Sequence, residues 1–181
     1  MRTKQRAAVL VEQRAARDRT EAYHDARALA LELARGVPSA RFDPMREGVV
    51  LQSGETVYRQ VRIWVRVQQD GRWADASFAD VLVTDLRLLC RFATGRLASL
   101  WWRGVVGLHV DLAAEHVVLD YGDGQPVSLS GAQVAPAAVA GIASVYGSAA
   151  MLTHPALAPL RSKTSAPLDE RLLGRPVRPQ T

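Results

Sequence analysis

The sequence predicts an α+β fold: one long N-terminal helix, about six or seven short antiparallel strands in a strongly bent sheet or barrel, and a C-terminal helix that caps it. Three observations carry that expectation. Residues 3–35 contain no Pro or Gly and are rich in Ala, Arg, Leu and Glu, which favour helix. Between residues 56 and 130, apolar and polar residues alternate with the period of two of half-buried strands, in runs broken by turn signals. After Gly131 the alternation stops and an Ala-rich helical stretch follows. A bent sheet has an open end, and a terminal helix can plug it.

The N-terminal helix carries an apolar stripe of Ala8, Val11, Ala15, Ala22, Ala26, Leu29 and Leu33. The stripe is thin because it is mostly alanine, and Asp18 and Asp25 interrupt the heptad that a coiled coil would need. Gly36 and Pro38 close the helix, which therefore needs a surface to lie on. Residues 37–54 form a connector with a short strand at 49–52. In "TVYRQVRIWVRVQQ" (56–69), Val61, Ile63, Val65 and Val67 point inward and Arg62, Trp64, Arg66 and Gln68 outward. Asp70-Gly71 is a turn. "ADVLVTDLRLLCRF" (79–92) reads as two strands with a bend at 84–87, and "ATGR" (93–96) as a hairpin loop.

"SLWWRGVVGLHVDL" (99–112) reads as one long strand bent at Gly104. Leu100, Trp102, Val106, Leu108, Val110 and Leu112 take the core face, while Ser99, Trp101, Arg103, Val105, His109 and Asp111 take the other. Trp102 is thus a core residue and Trp101 is turned outward beside a cation. "HVVLDY" (116–121), the turn at 122–124 and "PVSLS" (126–130) complete the sheet. The last helix runs from Ala132 to Leu152, with Val139, Ile142 and Val145 buried. The expected organisation is a helix over 1–36, a connector over 37–54, a sheet domain over 55–153, and a largely flexible Pro-rich tail over 154–181.

Charge is uneven along the chain. The net charge is +5, with Lys4 and Lys163 the only lysines, an arginine bias of GC-rich genomes such as those of actinobacteria. Residues 1–35 and 161–181 each carry +3, the latter from Arg161, Lys163, Arg171, Arg175 and Arg178 against two acids, whereas residues 36–160 carry −1. The basic character belongs to the two ends, which argues against a nucleic-acid-binding folded face. The single Cys90 excludes an internal disulfide and a cysteine-rich zinc site. Glu12 and Arg14 cut the N-terminal apolar run too short for a signal peptide, so a cytoplasmic location is expected, with peripheral membrane association as its variant. Residues 124–160 hold no charged side chain, yet Pro136, glycines and serines within 134–152 favour a buried helix over a spanning one.

The hairpin "VLVTDLRLLCRF", the tryptophan strand "LWWRGVVGLHVDL" and the helix after "VSLSG" together resemble the pleckstrin-homology (PH)-like superfamily, especially its GRAM-like bacterial members. The resemblance covers residues 47–152 and implies a PH-like domain: a scaffold that binds lipid headgroups or protein segments and is rarely a catalyst. Inositide-binding members carry a basic cluster at the first hairpin. "QQDGRW" (68–73) supplies only Arg72, so no specific inositide is expected.

Arg62, Trp64, Arg66, Trp101 and Arg103 form the candidate partner-binding group, because Arg and Trp are the residues most enriched at binding hot spots. Three occupants compete for it: the N-terminal helix of the same chain, a protein partner or a second copy, and nucleic acid or anionic lipid. His109, Asp111 and His116 hold no fixed three-ligand geometry and read as surface residues. Cys90 shares the core face with Leu88 and Phe92 and reads as an inert thiol. "YGDGQPVSLSG" is a hairpin turn rather than a phosphate loop. No catalytic residue, metal or cofactor is expected. The function that follows is a non-catalytic adaptor that holds a protein partner or itself through the Arg/Trp face and the N-terminal helix, with an anionic-membrane or nucleic-acid adaptor using the basic ends as the alternative and an enzyme third.

Overall fold

Alternation from Val57 to Gln69 builds the longest strand, β1 (Val57–Gln69), in the computed structural model of the chain, which describes residues 2–36 and 42–161 and side chains from Val9 on. Val61, Ile63 and Val65 are buried, while Arg62, Trp64 and Arg66 between them are exposed. The remaining strands are β2 (Arg72–Trp73), β3 (Ser77–Thr84), β4 (Arg87–Phe92), β5 (Leu97–Trp101), β6 (Gly107–Asp111), β7 (His116–Asp120) and β8 (Val127–Ser130). They form one antiparallel open sheet in the order β5-β4-β3-β1-β8-β7-β6, with β2 hairpinned onto the end of β1. The two edges, β5 and β6, are consecutive in sequence.

The inner face of the sheet carries the main core. Val81, Val83, Leu88, Cys90, Val117, Leu119 and Leu129 pack there with Val139 and Ile142 of helix α2 (Ala135–Tyr146). A side chain at Gly141 would put its Cβ 3.2 Å from the Trp102 ring and 3.5 Å from Leu108, so the absence of a side chain lets α2 seat between the two sheet edges. Helix α1 (Arg2–Arg35) lies against α2 and against the short helices α3 (Ala150–Thr153) and α4 (Ala158–Arg161). Ala22, Ala26 and Leu29 of its stripe are buried, and Val11 is exposed. Polar contacts fix its position: Tyr23 donates to the Leu112 carbonyl at 2.8 Å and Arg27 to the Leu160 carbonyl at 2.7 Å. Arg59 of β1 bonds both Asp25 and Glu32, and Arg19 pairs with Glu115. The helix therefore belongs to the same core as the sheet.

Three elements differ from the expectation. The predicted long strand 99–112 is interrupted: β5 stops at Trp101, residues Trp102–Gly104 form a 3₁₀ turn, and β6 starts at Gly107. The interruption is a topological need, because the chain must pass here from one sheet edge to the other. Trp102 stays in the core, 4% exposed, with its indole N–H donating to the Thr84 carbonyl at 2.9 Å, but Val106 is 73% exposed instead of inward. The predicted helix 132–152 is shorter and broken. Gly147 leaves helical geometry at φ 84°, and a stepped run of α3, a 3₁₀ turn and α4 follows. Val139 and Ile142 are fully buried as expected, whereas Val145 is half-buried. Leu157 and Leu160 are buried too, so packing continues eight residues beyond the expected tail boundary to Arg161, and Lys163, Arg171, Arg175 and Arg178 lie outside the described residues.

The third difference is the connector. The stretch expected to form a strand at 49–52 makes no ladder and instead crosses the outer face of the sheet. Val49, with Phe42 and Leu51, packs there on Val57, Leu82 and Leu89 as a second small core. Among the described residues, no helix is long and apolar enough to cross a membrane.

Candidate binding surface

The outer face divides into a covered half and an open half, and the division follows from strand register. On β1, Trp64 is paired with Phe78 on β3 and Ser130 on β8. The Trp64 and Phe78 rings meet edge-on with centroids 5.0 Å apart, a favoured aromatic geometry. Further along β1, Gln68 is paired with Trp73 of β2, which puts Trp73 on the same face. Trp64, Phe78 and Trp73 are 45%, 43% and 42% exposed, high values for side chains of this size. Arg62 and Arg66 flank Trp64 on the same strand face, both exposed. Where β8 ends, the Gln133 side chain takes over its pairing by accepting the Arg62 backbone N–H at 2.9 Å. Among the described residues, the guanidinium groups of Arg62 and Arg66 have no hydrogen bond or ion pair. The open half is therefore a row of three aromatic rings and two uncommitted cations.

Trp101 stands on the same face but on β5, at the sheet edge, next to Arg87 of β4. Its ring lies between two guanidinium groups, Arg87 at 4.7 Å and Arg103 at 5.1 Å from the centroid. The outward tryptophan thus meets cations of its own chain. Arg87 is itself fixed. It is 8% exposed, donates through Nε and Nη2 to both oxygens of Glu55 at 2.9 and 3.0 Å, and reaches Ser99 Oγ and the Val50 carbonyl at 2.9 Å each.

The "TDLR" turn (84–87) is built into this network. Thr84 Oγ1 accepts the N–H groups of Leu86 at 3.1 Å and Arg87 at 2.9 Å and lies 2.8 Å from Glu55 Oε1. Asp85 accepts the Thr56 N–H at 2.9 Å. Burial pushes the Glu55 carboxyl upward, but bonds from Arg87, the Gln52 N–H and Thr84, with the Arg87 charge, outweigh it and hold the group below its usual value.

The five residues singled out from the sequence are thus split. Arg62, Trp64 and Arg66 belong to the open row, Trp101 and Arg103 to the edge. Helix α1 packs with the other helices on the opposite side of the sheet and covers neither group. Sequence reasoning missed Phe78 and Trp73. Phe78 keeps the outward parity of Asp80, and starting its strand one residue earlier would have shown it. Glu55, the partner of Arg87, is 32 positions away and carried no local signal.

Asp111 and His116 make local bonds, and His109 is exposed. Asp111 caps the Ala114 N–H at 3.0 Å, and His116 Nε2 lies 2.7 Å from Ser128 Oγ. Among the described residues, no group of three His, Cys, Asp or Glu is placed to hold a metal ion. Burial drives the Cys90 thiol up to about 12, so it is protonated at neutral pH. No protein-family model, curated protein or solved structure matches the chain.

Proposed function

We propose that the chain is a non-catalytic binding module that engages a protein partner through the open row Arg62–Trp64–Arg66, extended by Phe78 and Trp73. One observation carries the reading: three large aromatic side chains on β1, β2 and β3, each more than two-fifths exposed, share a sheet face with two arginines of the central strand that have no ion-pair partner among the described residues. Exposed apolar surface bordered by polar groups marks interaction sites, and Trp and Arg supply much of the energy at such sites. Strand β1 has neighbours on both sides, so the row is held in place before a partner arrives. The PH-like reading of the fold belongs with this proposal. Two features support it: the sheet edges are consecutive strands, and α2 sits across the gap between them.

The test is recovery of bound protein from the host by wild-type chain, by Trp64→Ala/Phe78→Ala and by Arg62→Glu/Arg66→Glu. A partner retained by the wild type and lost by both variants, with unchanged melting behaviour, is the expected result. Equal recovery by all three ends the proposal. Binding to acidic vesicles or DNA that disappears on deletion of residues 161–181 would move the function to the basic ends.

A further inference from the structure

We infer that the partner of the outer face anchors itself with one uncharged aliphatic side chain, seated in a cavity at the border between the covered and open halves, a step that rests on reading this face as a protein-binding surface.

The cavity encloses about 280 Å³ between the connector and the sheet. Its walls are aliphatic: Val49 of the connector, Leu82 of β3, Leu89 of β4 and Leu97 of β5. Connector packing leaves Leu82 and Leu89 only 6% exposed, but Leu97 is 49% exposed, so the apolar lining is unfinished on the β5 side. Sites that enclose a whole small molecule run from about 300 to 1,000 Å³. This cavity is smaller and fits a single side chain.

The ionic groups at its rim exclude a charged occupant. Asp80 stands between Arg62 of β1 and Arg91 of β4 in the register of the sheet. Glu47 borders the cavity from the connector, and its carbonyl accepts a bond from Arg91. Among the described residues, none of these four side chains makes an ion pair. Two carboxylates are thus set against two guanidinium groups. An entering cation meets Arg91 and an entering anion meets Glu47 and Asp80, each with a desolvation cost. An aliphatic group avoids both and completes the burial of Leu97.

Position ties the cavity to the open row. Gln60 lines it and lies on the same face of β1 as Trp64, four residues further on, roughly 13 Å away at strand spacing. Arg62 stands between them. A partner that covers Trp64 therefore reaches the cavity within the same short segment.

The experiment titrates the isotope-labelled full-length chain with N-acetyl-leucinamide and follows backbone amide shifts by NMR. The lysine and glutamate analogues serve as charged controls. The leucine derivative is expected to shift the amides of Val49, Leu82, Leu89 and Leu97 saturably, with a dissociation constant on the order of 1 mM. Gln60→Trp, an exposed substitution that plugs the cavity mouth, should abolish those shifts with unchanged circular dichroism, whereas Trp64→Ala should leave them in place. No saturable shift up to the solubility limit overturns the inference. So does a charged analogue that binds as well as the leucine derivative. Either result leaves the open row to its own test. Leucine binding at the cavity, together with a partner that Trp64→Ala/Phe78→Ala fails to release, removes the row and keeps the cavity.

Discussion

Trp64 and Trp101 stand on the same face of one sheet, each close to two arginines, yet the two places have opposite characters. Beside Trp101, Arg87 is held by both oxygens of a carboxylate whose side chain is 0% exposed. Beside Trp64, the arginines are exposed and, among the described residues, make no such bond. The difference comes from what crosses the face. The connector brings Glu55 and Val50 over β4, where they engage Arg87, and leaves β1 beyond Gln60 uncovered. The same two residue types thus build a rigid strut in one place and a vacant surface in the other. The carboxylate decides which.

The comparison is broken most severely at Arg87. Arg87→Ala leaves Glu55 buried with its charge uncompensated, and losing one partner of a buried pair costs about 3–5 kcal/mol, a large share of a domain's total of about 5–15. The urea midpoint should drop accordingly. A drop smaller than that of an exposed substitution would show that the strut carries nothing.

Next in size is the neighbouring tryptophan pair. Trp102→Ala removes a core ring and an indole hydrogen bond and should cost about 3–5 kcal/mol. Trp101→Ala removes two cation–ring contacts at a half-exposed position and should cost about 1–2 kcal/mol. Equal thermal destabilisation by the two would erase the distinction between them.

A pH titration sharpens the comparison. The folded-state value of Glu55 is depressed, so its stabilisation is fully present above its unfolded value of about 4.3 and is lost as pH falls through the lower folded value. Glu55→Gln should therefore lower stability at neutral pH and flatten the acid limb of the stability curve below about pH 4. A limb of unchanged steepness would assign acid sensitivity to another carboxylate. The smallest effect belongs to Trp64→Ala, which should change the melting free energy by no more than about 0.5–1 kcal/mol. A larger loss would mean that the open row is structural as well.

The strands of the sheet were legible because alternation reports local burial. Val61, Ile63 and Val65 face the core as their spacing required, and so does Trp102. What stayed hidden depends on distant chain. The 3₁₀ turn at Trp102–Gly104 exists because β5 and β6 are opposite edges, which alternation within one segment does not encode. Gly147 reads in sequence as one more small residue in an Ala-rich run, and only its positive φ makes it a helix end. Likewise the stripe of α1 announced a need for cover without saying that α2 supplies it. Of the candidate surface, Arg62, Trp64 and Arg66 were legible as outward residues. Their difference from Trp101 was not, since it rests on Glu55 folding back across the sheet.

Arg27 of α1 and the Leu160 carbonyl it binds are 133 positions apart, and that distance has a consequence for synthesis. At about 5–20 residues per second, a ribosome takes roughly 7–27 s to travel between them. During that time the hairpins from β1 to β5 can form from neighbouring chain, while the first helix made waits beside them with its alanine stripe uncovered. Long-range closure of this kind slows folding relative to a fold of local contacts. The nascent chain is therefore completed from its far end: α2, Leu157 and Leu160 are the late arrivals that give α1 a place to rest.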